Sequence, residues 1–318
     1  MGEWNARYDA GEFITFVFQK NENEDRRSYS FSSAPGIDDS MRITVKRIAN
    51  GEYSRYFFDH VKPGEILTSS GISGYFRLPS HYTGIDQLFF FAAGSGITPV
   101  YALIKTALHT TAKKIILVYS NRSKKDTIFY KELRALQEKF NRRFIIEFLF
   151  SNTIRIHKSR LSKVVINKLL DEYSVPLQQT LFYICGPAGY MLMTGISLIT
   201  AGVRESHIRK ENFNTRKHTI QPIPPDTAIH QVKVQINDNM YEFPVQYPDT
   251  ILAAAKKLHI HLPYSCEAGN CGSCAATCTH GKVWMAYNEV LMDNEIDRGK
   301  ILTCQGYAVG GDVEINFD

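Results

Sequence analysis

Four cysteines near the end of this 318-residue chain, Cys266, Cys271, Cys274 and Cys304, form a C-x4-C-x2-C run followed by a distant fourth thiol. Three thiolates from one compact loop and one from elsewhere make the ligand set of a [2Fe–2S] centre. Ala268, Gly269, Asn270, Gly272 and Ser273 are small enough to let backbone N–H groups approach the sulfides and tune the potential. A structural zinc site is the alternative, but it prefers paired C-x2-C knuckles and only one such pair is present. Disulfides fit less well, because four of the six cysteines crowd into positions 266–278 of a long chain without a secretion signal. Cys278 falls on an expected strand and reads as a free buried thiol rather than a ligand.

Three further segments carry groups suited to phosphates and flat ring systems. Arg26-Arg27-Ser28-Tyr29-Ser30 offers a guanidinium for a pyrophosphate, an aromatic ring and a hydroxyl, although an Arg and a Tyr on a strand also suit an exposed pair. Gly51-Glu52-Tyr53-Ser54 precedes a short helical stretch, Tyr56 to Val61, whose N-terminus can receive phosphate with Ser54 as its cap. Gly94-Ser95-Gly96-Ile97-Thr98-Pro99 follows an apolar strand and opens a helix, with Thr98 as candidate N-cap and Pro99 at the first helical position. The pattern is not G-x-G-x-x-G, so a simple dinucleotide dehydrogenase is not supported. Cys185-Gly186-Pro187 ends a later strand in line with the Gly94 loop, where inert packing and a cofactor contact both remain open. After another strand, Ser120 to Lys125 supplies Arg122, Lys124 and Lys125 and no carboxylate for a ribose hydroxyl, which favours NADPH over NADH; a solvated charge run explains the two lysines equally well.

The elements that must hold these groups fall into three regions. Residues 1–84 are β-rich: Phe13 to Phe18, Tyr29 to Ser33 and the alternating Met41 to Val45 read as strands of a barrel or sandwich. Over 85–214, buried-type strands at Leu88–Ala93, Ile115–Tyr119, Phe144–Phe150 and Leu181–Ile184 alternate with helical stretches, one containing Phe129, Leu133, Leu136 and Phe140 and another beginning near Ala188. That grammar predicts a doubly wound parallel α/β sheet with its ligand at the strand C-termini. Residues 215–229 hold three prolines and no periodicity, and so predict a semi-rigid linker. Residues 230–318 open with Val232, Val234 and Ile236 alternating, a turn at Asp238-Asn239, a return from Tyr241 to Tyr247 and a helix capped by Thr250.

Composition narrows the function classes. With 44% hydrophobic and 22% charged residues the chain can bury sizeable cores, which excludes disorder. No apolar run approaches the ~20 residues that span a bilayer, and no signal peptide or lipid anchor is indicated, so a cytoplasmic protein is expected. The net charge of +5 hides an asymmetry, since residues 230–318 carry 6 Lys/Arg against 11 Asp/Glu and residues 1–229 carry 31 against 21. No basic block or finger spacing supports nucleic-acid binding.

The R-x-Y-S segment, Gly51 and Ser54, the G-x-G-x-T-P loop and Cys-Gly-Pro resemble the ferredoxin–NADP reductase superfamily, and residues 230–318 resemble a plant-type ferredoxin domain of β-grasp fold. Together, over nearly the full chain, they are similar to the phenylacetyl-CoA oxygenase reductase type of component in multicomponent oxygenases. The resemblance implies an FAD-binding antiparallel β-barrel over 1–84, an NAD(P)H-binding α/β domain over 85–214 and a [2Fe–2S] domain over 230–318. It places Arg27, Tyr29, Ser30, Lys46, Gly51 and Ser54 among the FAD contacts, and Gly94, Gly96, Thr98, Arg122, Cys185, Gly186 and Pro187 among those of NAD(P)H. Glu211-Asn212-Phe213 matches an E-x-F segment, so Ser30, Cys185 and Glu211 are the candidates nearest the reacting atoms, with Phe213 close by. The family has about thirty residues before the segment equivalent to Tyr8–Phe13 and this sequence has seven, so the first barrel strand is expected to be missing. Nicotinamide gives a two-electron hydride and a [2Fe–2S] centre takes single electrons, so a flavin must stand between them and pass electrons to a separate protein, an oxygenase or a similar acceptor. Direct reduction of a small molecule by the flavin, and a redox-sensing binding module, are the alternatives.

Overall fold

The computed structural model describes residues 7–20, 23–153, 159–214 and 221–317. The chain divides into two compact units, one comprising residues 1–16, 28–72 and 76–212, the other residues 17–27, 73–75 and 213–318.

The N-terminal region supplies β1 (Phe13–Lys20), β2 (Asn23–Ser30), α1 (Glu52–Asp59) and β3 (Ser69–Ser73). The strands form a three-stranded sheet in the order β2-β1-β3. Two expectations are corrected here. The strand expected over Tyr29 to Ser33 starts earlier and ends at Ser30. Met41 to Val45 forms no extended strand; among the described residues its ladder reduces to one bridge, Phe31 to Ile43. Alternation makes a strand only where a partner of matching length lies alongside.

The α/β region runs β4 (Gln87–Ala93), α2 (Ile97–Thr110), β5 (Lys114–Asn121), α3 (Tyr130–Lys139), β6 (Phe144–Phe150), α4 (Lys163–Glu172), β7 (Thr180–Cys185), α5 (Ala188–Thr200) and β8 (Ile208–Glu211). All the strand pairs are parallel, in the order β6-β5-β4-β7-β8. Central β4 is apolar on both faces because both faces are covered. Leu88, Phe90 and Ala92 enter one core with α2 and Leu133, while Phe89 and Phe91 enter another with Ile166, Leu169 and Leu198. Strand order reverses at β4, so the C-terminal ends of β4 and β7 open onto the crevice where such sheets take ligands.

The C-terminal region supplies β9 (His230–Ile236), β10 (Asn239–Val245), α6 (Ile251–Lys257), β11 (Ala275–His280), β12 (Val283–Met285), α7 (Asp293–Ile296), β13 (Lys300–Leu302), β14 (Gly306–Ala308) and β15 (Val313–Phe317). A mixed sheet in the order β10-β9-β15-β11-β13, with β15 parallel to β9, is crossed by α6 in the β-grasp manner. The β9–β10 turn falls on Asn237-Asp238, one residue earlier than expected, with Asn237 at φ +52°. Thr250 caps α6 as expected, accepting from Ala253 N at 3.2 Å. Val232, Val234, Ile251, Ala276, Ile301 and Ile315 share one separate core. Of the expected linker, 215–220 lies outside the described residues. Its remainder is pinned, because Asp226 accepts from Gly310 N at 2.8 Å and contacts His230 Nε2 at 2.7 Å.

Candidate functional site

The Gly94 loop is shaped by two glycines. Gly94 sits at φ +56°, and a Cβ on Gly96 would collide with the backbone carbonyl of Cys185. Only a residue without a side chain lets the loop close against the end of β7 in this way. Tyr119 Oη donates to Gly94 O at 2.9 Å and fixes the loop from β5. Thr98 does not cap α2 and Pro99 is not its first residue: residues 94–96 form a single tight turn that runs straight into a helix starting at Ile97, whose N–H is already bonded to that turn. Thr98 lies inside the first turn, and its Oγ1 is buried without a partner. An orphaned hydroxyl beside a glycine turn fits a site built for a polar ligand.

Ser30, Cys185 and Glu211 come together at the C-terminal edge of the parallel sheet. Cys185 and Glu211 are paired neighbours at the ends of β7 and β8, and Ser30 Oγ, at the end of β2, donates to Glu211 Oε2 at 3.5 Å. All three are buried. Burial pushes the Glu211 carboxyl up to about 8, against a smaller downward pull from the Ser30 hydroxyl. Burial, and then the neighbouring Glu211 charge, pushes the Cys185 thiol well up. The cluster therefore presents a neutral thiol, a hydroxyl and a carboxyl that stays protonated near neutral pH. Gly186 packs against Ala93 and Tyr190, and Pro187 leads into α5. Phe213, two residues past Glu211, is about half exposed and belongs to the other unit.

Around the three-stranded sheet, Tyr29 packs edge-on to Phe57 at 5.0 Å and near Phe16 at 6.1 Å. Arg27 donates to Arg26 O at 2.7 Å and lies 3.9 Å from an Asp25 carboxylate oxygen, with its side chain 39% exposed. Ser54 is not the cap of α1. That helix starts at Glu52 with Gly51 as its N-cap, and Ser54 Oγ accepts from Ile48 N at 3.1 Å and donates to Gly51 O at 3.2 Å. It closes the turn before the helix instead. Lys46 lies with Nζ 3.4 Å from where a Cβ of Gly94 would stand, which puts its charge beside the glycine turn. After β5, Arg122 is exposed, the Asn121 amide nitrogen is buried without a partner, and Lys124 lies 4.7 Å over the Tyr130 ring. Lys124, Lys125, Lys131 and Tyr130 line a groove of about 560 Å³.

The cluster cysteines stand in two pairs, the thiol of Cys266 beside that of Cys271 and the thiol of Cys274 beside that of Cys304, and Cys274 also feels the charge of Cys271. A hydrogen bond from the Cys271 thiol, with those from the Ala268, Asn270 and Cys271 N–H groups, holds Cys266 down to about 6 despite burial. Thiol neighbours and burial push Cys271 and Cys274 well up. Two thiol pairs, with the Ala268 N–H donating to Cys266 Sγ at 3.4 Å, fit the thiolate ligands of a two-iron centre; among the described residues no group of three or more ligating side chains is gathered tightly enough for a single metal ion. Thr303 N and Oγ1 donate to Cys274 O at 3.2 and 3.1 Å, and Gln305 Nε2 donates to Glu267 O at 3.2 Å, so the residues flanking Cys304 hold the 266–274 loop. Sequence reasoning missed Thr303 and Gln305; their position beside the fourth cysteine was the available signal. Cys278 lies on β11 as expected, but is only half-buried.

Profiles of the oxidoreductase FAD-binding domain, the oxidoreductase NAD-binding domain and the 2Fe-2S iron-sulfur cluster binding domain match residues 4–78, 90–195 and 234–309. The ferredoxin reductase component of 3-ketosteroid-9-alpha-monooxygenase from Rhodococcus rhodochrous is 31% identical over 98% of this chain and 88% of its own length. A component of the 1,2-phenylacetyl-CoA epoxidase from Escherichia coli K12 is 30% identical over 98% of this chain and 89% of its length. Among solved structures, phthalate dioxygenase reductase matches in fold with a TM-score of 0.56, at 23% identity, over 98% of this chain and 89% of that one. At 31% identity over nearly its whole length to a ferredoxin reductase component, and with the three domains matched in order, the chain belongs to the family of flavin-, nicotinamide- and [2Fe–2S]-binding reductase components.

Proposed function

We propose that this protein draws reducing equivalents from NADPH and delivers them singly to a separate oxygenase component. FAD supplies acceptance of a hydride from nicotinamide, and a [2Fe–2S] centre supplies one-electron transfer. The observation that carries the reading is the convergence of Ser30, Cys185 and Glu211 beside the Gly94 turn, in a polypeptide that also sets four cysteine thiols in two pairs.

The residues divide the work. Tyr29, Ser54 and Gly51 would hold FAD, with the ring packing on the flavin or its chain, and Arg27 carries a guanidinium of the kind that pairs with pyrophosphate. Gly94, Gly96 and the Thr98 hydroxyl receive the nicotinamide pyrophosphate at the start of α2, with Lys46 beside them. Cys185, Gly186 and Pro187 shape the floor for the nicotinamide ring, and Phe213 follows Glu211 by two residues in the chain. Ser30 and the protonated Glu211 give a buried hydrogen-bonding pair that adds no negative charge where a hydride must arrive. Exposed Arg122 and the groove after β5, whose lining holds Lys124, Lys125 and Lys131 against the single carboxylate of Glu132, support the choice of NADPH, since an excess of cations there favours a 2′-phosphate. Cys266, Cys271, Cys274 and Cys304 ligate the iron.

We read residues 1–84, 85–214 and 230–318 as the flavin, nicotinamide and cluster domains, with 215–229 joining the last two. No helix among the described residues is long and apolar enough to cross a membrane. We place the protein in the cytoplasm, where thiolate ligands are kept reduced. The excess of Asp and Glu over residues 230–318 suits a basic docking surface on the acceptor, with salt-sensitive association. Stopped-flow absorption under anaerobic conditions tests the reading: NADPH bleaches the flavin bands and then the broad sulfur-to-iron band. A cluster that stays oxidised while the flavin is reduced overturns it.

A further inference from the structure

The outer end of β2 carries a contact that the cofactor roles above leave unused. Arg26 lies with its guanidinium carbon 3.6 Å from the centroid of the Tyr264 ring, and its Nη1 donates to Tyr264 O at 2.8 Å. Its Nε donates to Glu24 Oε1 at 2.5 Å, and the Arg26 side chain is only 12% exposed. Lys256 Nζ lies 4.4 Å from the same ring and 3.2 Å from Glu267 Oε1. One guanidinium is thus fixed by a carboxylate on one side while it grips both the ring and the backbone carbonyl of Tyr264. All these groups belong to the second compact unit.

Tyr264 is two residues before Cys266, so its backbone lies within about 7 Å of the ligand's, the reach of two residues. The Arg26 side chain is 12% exposed and that of Glu24 33%, so a pair this close to an iron–sulfur centre changes its affinity for an electron, the covered guanidinium being screened less than a fully solvated one. We propose that Arg26 and Glu24 are positioning residues for the [2Fe–2S] centre. Arg26 fixes the chain entering the cluster loop, and the Arg26–Glu24 pair balances the field there, so the two residues set the reduction potential in opposite directions. The inference rests on the assignment of Cys266, Cys271, Cys274 and Cys304 as ligands.

The opposite signs make the test. Arg26→Gln removes a cation and leaves Glu24 uncompensated, so the reduced centre is disfavoured. Glu24→Gln leaves Arg26 unbalanced over Tyr264 and favours it. A contact that only held the fold together would shift both variants the same way. Midpoint potentials of the full-length holoprotein, from EPR-monitored redox titration, are expected to fall for Arg26→Gln and rise for Glu24→Gln. Each shift is about threefold in the one-electron equilibrium constant, or about 30 mV. Arg26→Lys keeps the charge over the ring and is expected to recover most of the potential. If Arg26→Gln loads iron poorly, Glu24→Gln and Arg26→Lys still decide the sign. Wild-type potentials in variants with intact clusters, or shifts of one sign in both, overturn the proposal. A wild-type protein that gives no [2Fe–2S] signal overturns the ligand assignment instead.

Discussion

At the residue scale, the proposed function turns on Glu211. Its carboxyl is raised to about 8 from an ordinary 4.5 by burial, so its neutral form is the one the fold favours. The linked contribution to stability is full below pH 4.5 and is lost as pH rises toward and through 8. NADPH-driven reduction is accordingly expected to decline on the alkaline side with a midpoint near 8. Glu211→Gln, neutral at every pH, is expected to abolish that decline in a pH–rate profile, whereas Glu211→Ala leaves the buried Ser30 hydroxyl without its partner. A lost buried partner costs about 1–3 kcal/mol, so the alanine variant is expected to be roughly five- to hundredfold slower. An unchanged alkaline decline in the glutamine variant would assign the titration to another group. Ser30, Cys185 and Glu211 were legible because each sits in a short local pattern. The grip of Arg26 on Tyr264 was not, since it joins residues 238 positions apart and no local pattern marks either one.

At the element scale, the strands of the α/β region were readable from their apolar runs, because a strand covered on both faces leaves little else in its sequence. The helix starts were misread for a single reason. Ser54 and Thr98 look like caps when only residue type is considered, but each helix begins with a glycine already in place: Gly51 before α1 and the Gly94–Gly96 turn before α2. The hydroxyls were thereby released for other uses, Ser54 to close its turn and Thr98 to remain unpaired. Gly96 is the residue this arrangement depends on. Gly96→Ala drives a Cβ into the backbone carbonyl of Cys185, which cannot rotate away as a flexible side chain can. Overpacking of this kind costs about 1–3 kcal/mol. The variant is expected to melt at lower temperature and to show a KM for NADPH raised roughly tenfold or more, if about 1.4 kcal/mol of the strain is expressed in the nucleotide loop. A wild-type KM alongside a wild-type melting temperature would remove the close approach of loop and strand as a requirement for binding.

At the scale of the whole molecule, the chain carries separate cores for separate chemistry. The two faces of the parallel sheet are closed by one set of side chains, and the β-grasp sheet and α6 by another. Hydride acceptance and iron ligation are therefore expected to be separable by a change that spares both cores. Cys304→Ser is such a change: it is nearly isosteric, and it lies between Thr303 and Gln305, whose hydrogen bonds continue to hold the 266–274 loop. Without the fourth thiolate the iron is expected to be lost, and with it the sulfur-to-iron absorption, while the flavin bands persist. Electron delivery to a protein acceptor should then fall at least about a hundredfold, the scale on which removal of a required group acts in catalysis. NADPH-driven reduction of a small dye should continue, because the Ser30, Cys185 and Glu211 group belongs to the other compact unit. Steady-state assays with a dye and with the protein acceptor, alongside iron analysis, decide the matter. Equal loss of both activities with flavin still bound would mean that the small acceptor also draws its electrons from the iron. Equal retention of both would mean that the flavin serves the protein acceptor directly and the four cysteines have another purpose.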